Sequence, residues 1–454
     1  MARDTKRQPG ANSDRRNLLK LLGVGATGAL AGCLGDDDDG NGNGNGNGNG
    51  NGNGNGNGDD EDRDDDTLRV GVYGPLTGPV ANIGEAKQAG WDVVADLVNE
   101  EGGVDGAEIE LFYADSESEP GRGRSAVNRL VQDENIDILG GGYHSDVTLS
   151  VIELAHENDL PFIIDESVSG AINEAIIEQD MKTVFKTAPP SEAYGAAWGN
   201  LVEDFDEQEI GYFPFENKRI AMIAEDTSYG ISVMDETAQQ VEDAGWEVVS
   251  KDEVPLDETD FSPILSRIRS EEPDVVWAVQ TNSAGTGALT EQFAEFDFGE
   301  AHFFHNFGLT AQEAIDRAGP AGDGAFTIVH PAAVPELLRE LGWDEAWEEA
   351  TDLSLSGFAA TSMTNMGVIA EIVENAGGPE GLNDMSPEEW EQHVIDHEPI
   401  KGGIGYVDFE EDHQAAWGTP ETIPSIGYQI VDGELNFVWP FELAEHEIDE
   451  SFYG

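Results

Sequence analysis

Two neighbouring loops carry the residue types best suited to hold a small solute. Gly140-Gly141-Gly142-Tyr143-His144-Ser145-Asp146 follows the apolar run Ile136 to Leu139 and opens a helical pattern, and Asp165-Glu166-Ser167-Val168-Ser169-Gly170 follows Phe162 to Ile164. Glycine lets backbone approach a ligand closely, and serine hydroxyls sit beside amides that a helix N-terminus leaves free. Together they suit a carboxylate or another small hydrogen-bond acceptor. Ser145 and Asp146 are equally good residues for capping a helix, and the sequence leaves both roles open. Signatures of catalysis are missing: there is no G-x-x-x-x-G-K-[ST] phosphate loop, no G-x-S-x-G elbow and no G-x-G-x-x-G after a strand. His393 and His397 have the spacing of a zinc pair, but Val394 stands where a metalloprotease has its glutamate, so they read as a solvent-facing helix. His302 and His305 flank Phe303-Phe304, with His305 nearer the end of that strand where a ligand would lie, and neither has a nucleophile or carboxylate at recognisable spacing. No enzyme, metal site or cofactor is expected.

The elements that must position these loops alternate between strand and helix. Leu68 to Tyr73, Ile109 to Tyr113, Ile136 to Leu139 and Phe162 to Ile164 read as buried strands. They are separated by helices over Glu85 to Asn99, after Pro120-Gly121, and over Val147 to Asn158. A second series has strands at Ile220 to Ala224, Trp246 to Ser250, Val275 to Val279, His302 to Phe304 and Phe326 to Val329, with helices at Ser232 to Asp243 and Ser262 to Arg269. Helices over Gly357 to Ala376 and Pro387 to His397 follow, then Gly-rich turns and short strands from Ile404 to Val438. Such alternation predicts α/β architecture, and two doubly wound parallel sheets of about five strands are more natural than one of ten. In open sheets of this kind ligands bind beyond the carboxyl ends of the strands, where both loops fall.

Charge narrows the partners. Lys and Arg total 22 against 93 Asp and Glu, a net charge of -71, which would repel nucleic acid or an anionic membrane face. After residue 32 only Lys87, Lys182, Lys186, Lys218, Lys251 and Lys401 remain as lysines. An acid excess spread over the whole chain points to a halophile, since molar salt screens it. Trp91, Trp198, Trp246 and Trp277 with repeated apolar runs argue for a folded body rather than an acidic disordered chain. The single cysteine, Cys33, excludes an intrachain disulfide and any cysteine-cluster metal site. The uncharged stretch Leu21 to Ala31 has eleven residues, where a membrane-spanning helix needs about twenty. Residues 1–32 therefore read as an export signal, within which Asp14-Arg15-Arg16-Asn17-Leu18-Leu19-Lys20 resembles a twin-arginine signal. Leu30-Ala31-Gly32-Cys33 resembles a lipobox, making Cys33 the expected lipid anchor. Residues 33–66, with nine Asn-Gly repeats between acidic runs, read as a flexible tether.

Further motifs occur in a fixed order: Val72-Tyr73-Gly74-Pro75-Leu76-Thr77-Gly78, Asn99 to Gly106, Ala224-Glu225-Asp226-Thr227-Ser228-Tyr229-Gly230, and Thr259-Asp260-Phe261-Ser262 followed by Pro273-Asp274-Val275-Val276. From Thr67 to about Phe441 the chain resembles the leucine/isoleucine/valine-binding type of substrate-binding protein, the receptor component of an ABC importer. The resemblance implies two α/β lobes, 67–188 with 330–425 and 189–329 with 426–454, joined by crossovers near Thr187 to Ser191, Val329 to Ala333 and Ser425 to Gly427. A monomer that closes on a small-molecule solute between its lobes and delivers it to a membrane permease would follow, with a haloarchaeal source. A tethered sensor for a membrane receptor is the alternative with the same residues, and an α/β enzyme the more distant one.

Carried over residue by residue, the resemblance implies a pocket of Ile83, Tyr143, His144, Ser145, Val168, Ser169, Tyr229, Thr281, Asn282 and Phe307. His144 or Ser145 falls on the carboxylate-holding serine, and Tyr229 on the tyrosine of the second lobe. Phe307, within His305-Asn306-Phe307-Gly308, falls where the family places the acid facing the ligand ammonium, although Glu313 follows the same strand. A buried ammonium beside Phe307 would lack a countercharge. The solute is therefore expected to keep an anionic or acceptor-rich end and to lack a buried ammonium.

Overall fold

The computed structural model describes residues 66–452 apart from 209, 211–214, 216, 297 and 300. The twin-arginine pair Arg15-Arg16, Cys33 and the tether up to residue 65 lie outside the described residues. Apart from Thr67 and Arg69, every residue of β1 (Thr67–Gly74) is apolar or small and buried, as a central parallel strand must be. It is followed by α1 (Ala81–Glu100), β2 (Glu108–Asp115), α2 (Pro120–Asp133), β3 (Ile138–Gly141), α3 (Ser145–Glu157), β4 (Phe162–Ile164), α4 (Gly170–Glu178) and β5 (Val184–Lys186). These strands form one all-parallel sheet in the order β2-β1-β3-β4-β5. The order reverses between β1 and β3, which opens a crevice at their carboxyl ends.

The chain then leaves this sheet. α5 (Glu192–Glu207) packs on α6 (Ser228–Asp243) of a second unit built from β6 (Arg219–Glu225), β7 (Glu247–Val254), α7 (Ser262–Arg269), β8 (Val275–Val279), α8 (Ser283–Glu295), β9 (His302–Asn306), α9 (Gln312–Ala318) and β10 (Phe326–Val329). After β10 the chain returns to the first lobe as α10 (Pro335–Leu341), α11 (Trp343–Ala350), α12 (Gly357–Ala376), α13 (Gly378–Asp384), α14 (Pro387–Ile395) and a small hairpin, β11 (Ile400–Gly402) with β12 (Gly405–Val407). α12, buried along most of its length, lies against α1. The chain passes beside β5 at Gln414 and crosses again to finish as β13 (Ile426–Val431) and β14 (Glu434–Trp439).

The second sheet has seven strands, ordered β14-β13-β10-β9-β8-β6-β7, rather than about five. β13 and β14 are antiparallel additions, joined through Asp432 and Gly433 at φ 54° and 77°, the positive pair that a two-residue hairpin turn requires. Two other expected boundaries shift. β7 runs on through Lys251, Asp252 and Glu253 because it is an edge strand, where charge is tolerated and helps prevent pairing with another chain. β9 runs on through His305 and Asn306, both fully buried, so that its last polar residues still belong to the sheet. Among the described residues no helix is long and apolar enough to cross a membrane.

Candidate functional site

The carboxyl ends of both sheets converge on one small void, lined by Tyr143, His144, Glu166, Ser167 and Val168 from the first lobe and by Tyr194, Tyr229, Thr281, Phe307 and His330 from the second lobe and the crossovers. Its volume is about 20 Å³, room for about one water. A solute can enter only when the lobes part. The lobes are held together by polar contacts between helix ends. Asp146, in the first turn of α3, accepts from Ser228 Oγ and from Ser228 N (3.4 Å), so that one carboxylate serves the N-termini of α3 and α6. Gly170 N, at the start of α4, donates to Ser191 Oγ and Ser232 Oγ, each at 3.2 Å.

The loop after β3 owes its path to glycine. Gly141 and Gly142 have φ of 107° and 137°, and a Cβ on Gly141 would lie 2.2 Å from the Tyr73 carbonyl oxygen. This sharp exit swings Tyr143 over the void, where its ring centroid lies 6.5 Å from Phe307 and 6.1 Å from Phe358. Phe307 adopts φ 69° and ψ -48°, a strained conformation for a non-glycine residue. It is fixed there by Phe307 N donating to Ile328 O (2.9 Å) and by Thr310 N and Oγ1 donating to Phe307 O. Its ring separates the void from a groove of about 680 Å³ that is also lined by Ile83, Phe358, Tyr428 and Phe437. The rings continue from Phe307 to Tyr229 (6.0 Å), from Tyr229 to Tyr194 (6.3 Å) and from Tyr194 to His330 (5.0 Å). Burial pushes His144 down to about 4 and His330 down to about 3, so both imidazoles are neutral at pH 7.

Beneath the aromatic layer lies a buried ionic cluster. Lys87 of α1 donates to Asp165 Oδ2 (2.8 Å) and Glu166 Oε2 (3.2 Å), and Ser362 Oγ of α12 donates to Asp165 Oδ2 (3.0 Å). Burial works against the Lys87 charge, but the two carboxylates outweigh it and hold its pKa above the ordinary value. Burial, only partly offset by Lys87, pushes Glu166 up to about 7. On the other lobe Glu225 accepts from Thr281 N (2.6 Å), Thr281 Oγ1 (2.8 Å) and Thr227 Oγ1 (2.9 Å), which fixes Thr281 at the void.

Six of the residues expected from the sequence, Tyr143, His144, Val168, Tyr229, Thr281 and Phe307, line the void. Four do not. Ile83 faces the groove and shares an apolar cluster with Tyr143 and Phe307. Ser145 and Ser169 are engaged with backbone: Ser169 N donates to Ser145 Oγ (3.3 Å), and Ala171 N donates to Ser169 Oγ (3.4 Å), the N-cap of α4. Asn282 caps α8 by accepting from Gly285 N (3.1 Å). Ser145 does not cap its own helix, whose N-cap is His144 without a side-chain bond. Sequence reasoning passed over Glu166, Ser167, Tyr194 and His330. The first two stand in the loop already singled out, and the last two lie on or just after crossovers, the segments that must pass the base of a cleft. His393 Nε2 donates to the Ile372 carbonyl of α12 (2.9 Å), so its side of α14 is packed rather than solvent-facing, and His397 lies beyond the end of α14, where its Nδ1 donates to the Glu398 carbonyl (2.7 Å). Among the described residues no group of His, Cys, Asp or Glu is arranged to hold a metal. His305 bonds Thr290 inside the second lobe and does not line the void.

Residues 67–415 match the family model described as "Periplasmic binding protein". The chain belongs to this family. Among curated relatives, this binding protein is 26% identical over 382 residues to Leu/Ile/Val-binding protein homolog 1 of Brucella suis biovar 1 (strain 1330), an alignment covering 81% of this chain and 92% of the relative. Its fold matches the crystal structure of a putative branched-chain amino acid ABC transporter from Silicibacter pomeroyi with a TM-score of 0.76 at 21% identity, covering 85% of this chain and 99% of the other. A solute-binding protein of R. palustris, solved in complex with benzoate, matches with a TM-score of 0.68 at 20% identity over 82% and 95% of the two chains. The fold of this binding protein is thus shared with both solved structures.

Proposed function

We propose that this chain is the extracytoplasmic receptor of an ABC importer, capturing a small polar solute of the branched-chain amino acid, amide or carboxylate class by closing its lobes and handing it to a membrane permease. The carrying observation is the void where strand ends of both lobes meet under aromatic walls, with Asp146 and Ser228 bridging the lobes. Contacts of this kind, made only when the lobes approach, give closure its stability and let the solute bias a hinge equilibrium. A screen of small metabolites by thermal shift, in molar salt, tests the reading. A genuine solute is expected to raise the unfolding temperature, and Tyr229→Ala to weaken its binding at least tenfold. A hit indifferent to Tyr229→Ala would place binding elsewhere.

The location proposed is the outer face of the cytoplasmic membrane, reached by the twin-arginine route through Arg15 and Arg16 and kept by a lipid on Cys33, with the body a monomer on its tether. The support is the lipobox-like Leu30-Ala31-Gly32-Cys33 and the Asn-Gly repeats that follow it. Cys33→Ser is expected to be exported yet released into the medium after a high-salt wash. A single acyl chain holds only marginally, so a second chain on the same cysteine is expected. Retention of the variant on membranes would overturn the anchor.

A further inference from the structure

We propose that Glu166, from the first lobe, receives the positively charged nitrogen of the solute, so that the cleft selects compounds bearing a primary ammonium, amines or amino acids, over their deaminated counterparts. The proposal rests on the reading of this cleft as the solute site. Among the described residues Glu166 is the one charged side chain lining the void. The nearest cation, Lys87, is shared with Asp165, so the three-residue cluster carries one negative charge in excess whenever Glu166 is ionised. Lys87 engages Oε2 of Glu166. The other walls suit a cation as well. The rings of Tyr143, Tyr194, Tyr229 and Phe307 present π-faces and edges around the same space, His144 and His330 are uncharged there, and no arginine lines it. Tyr143 Oη and His144 Nε2 are buried without a hydrogen-bond partner among the described residues, polar atoms left for a bound molecule.

This assignment reverses the expectation drawn from Phe307. The countercharge missing at Phe307 is supplied from the opposite lobe, and the hydroxyls expected to hold an anion, Ser145 and Ser169, are occupied by backbone amides. An anionic group entering beside Glu166, with Glu225 behind Thr281, would meet like charge on both sides.

Calorimetry on the whole mature protein in molar KCl decides the matter with three probes of like shape: leucine, 3-methylbutylamine and 4-methyl-2-oxopentanoate. Leucine or the amine is expected to bind at least tenfold more tightly than the keto acid. Glu166→Gln is expected to erase that preference while leaving Lys87 paired with Asp165. A second readout separates a charge role from a packing role. An ammonium at Glu166 draws its raised pKa down, so binding near pH 7 is expected to release protons in the wild type and not in Glu166→Gln. The release is read as a heat that varies with buffer ionisation. The groups facing Glu166 are Lys87, Asp165, Tyr143 and Tyr194, with His144, His330, Tyr229 and Thr281-bound Glu225 around the void; burial holds the three tyrosines well above their ordinary pKa, so they stay protonated near pH 7, and Glu225, also raised by burial, lies behind Thr281. Keto acid binding equal to or tighter than leucine, or a leucine preference unchanged by Glu166→Gln, would overturn the assignment. If that keto acid binding is also lost in Tyr229→Ala, the cleft remains the solute site and only the charge assignment falls. Binding of none of the three overturns the assignment for this solute class, and the metabolite screen then decides separately on the receptor reading.

Discussion

Replacing Lys87 by methionine is expected to cost about 3–5 kcal/mol of folding stability, the usual consequence of removing one partner from a buried ionic group. Against a total stability of about 5–15 kcal/mol such a loss is close to the limit the fold can bear. Lys87, Asp165 and Glu166 are 3%, 0% and 4% exposed, so water cannot replace the lost ammonium. α1, which carries Lys87, packs on α12, and methionine keeps most of the lysine volume, which isolates the electrostatic effect from a cavity. Urea denaturation at fixed molar KCl measures it. Adding Asp165→Asn to Lys87→Met is expected to recover part of the loss, because one uncompensated carboxylate then disappears. Glu166→Gln alone, which leaves the shorter Lys87 to Asp165 pair intact, is expected to cost far less. An unchanged midpoint in Lys87→Met would mean that the two carboxylates share a proton and need no cation.

The same cluster shows where sequence reasoning stops. Strand and helix positions are legible because a parallel sheet buries both faces of its strands. Leu68 to Tyr73 and Val275 to Val279 therefore read as apolar runs between amphipathic helices. Boundaries fail where that physics changes: at the edge strand β7, where Lys251 and Glu253 face water, and at the end of β9, where the polar His305 and Asn306 are buried inside the second lobe. Tyr143, Tyr229 and Phe307 lie within a few residues of the ends of β3, β6 and β9, where the resemblance in motif order could place them. Glu166 could not be assigned, because its role depends on Lys87, 79 positions away on α1, taking one of its oxygens. Ser145 and Ser169 show the converse: residues of the right type whose hydroxyls accept from backbone amides, of Ser169 and Ala171 respectively, instead of from a ligand.

The largest effect expected for the whole molecule is cooperative unfolding when KCl or NaCl is diluted below about 1 M. Beyond residue 32 the chain carries 91 acidic against 16 basic residues. Several of the basic ones are already paired at the surface, Arg219 with Glu247, Lys251 with Asp235 and Lys401 with Glu340, each worth little alone. Most carboxylates therefore face other carboxylates. α11 carries Glu345, Glu348 and Glu349 exposed in one short helix whose opposite face buries Trp343 and Trp347. Two charges about 7 Å apart in water repel by about 0.6 kcal/mol before screening. At 0.1 M salt, with a Debye length of about 10 Å, about half of that survives, and at 1 M, with about 3 Å, about a tenth. Summed over dozens of neighbours, the difference exceeds the margin by which a domain is stable. Circular dichroism along a salt series is expected to show one sigmoidal loss of helix, at the same midpoint in KCl and NaCl because screening does not discriminate between them. Glu348→Lys with Glu349→Lys is expected to shift that midpoint to lower salt by relieving repulsion at α11 without touching its buried tryptophans. Native ellipticity retained in 0.1 M salt would show that self-repulsion does not limit this fold, and the halophilic reading of its composition would fall while the two-lobed structure stood.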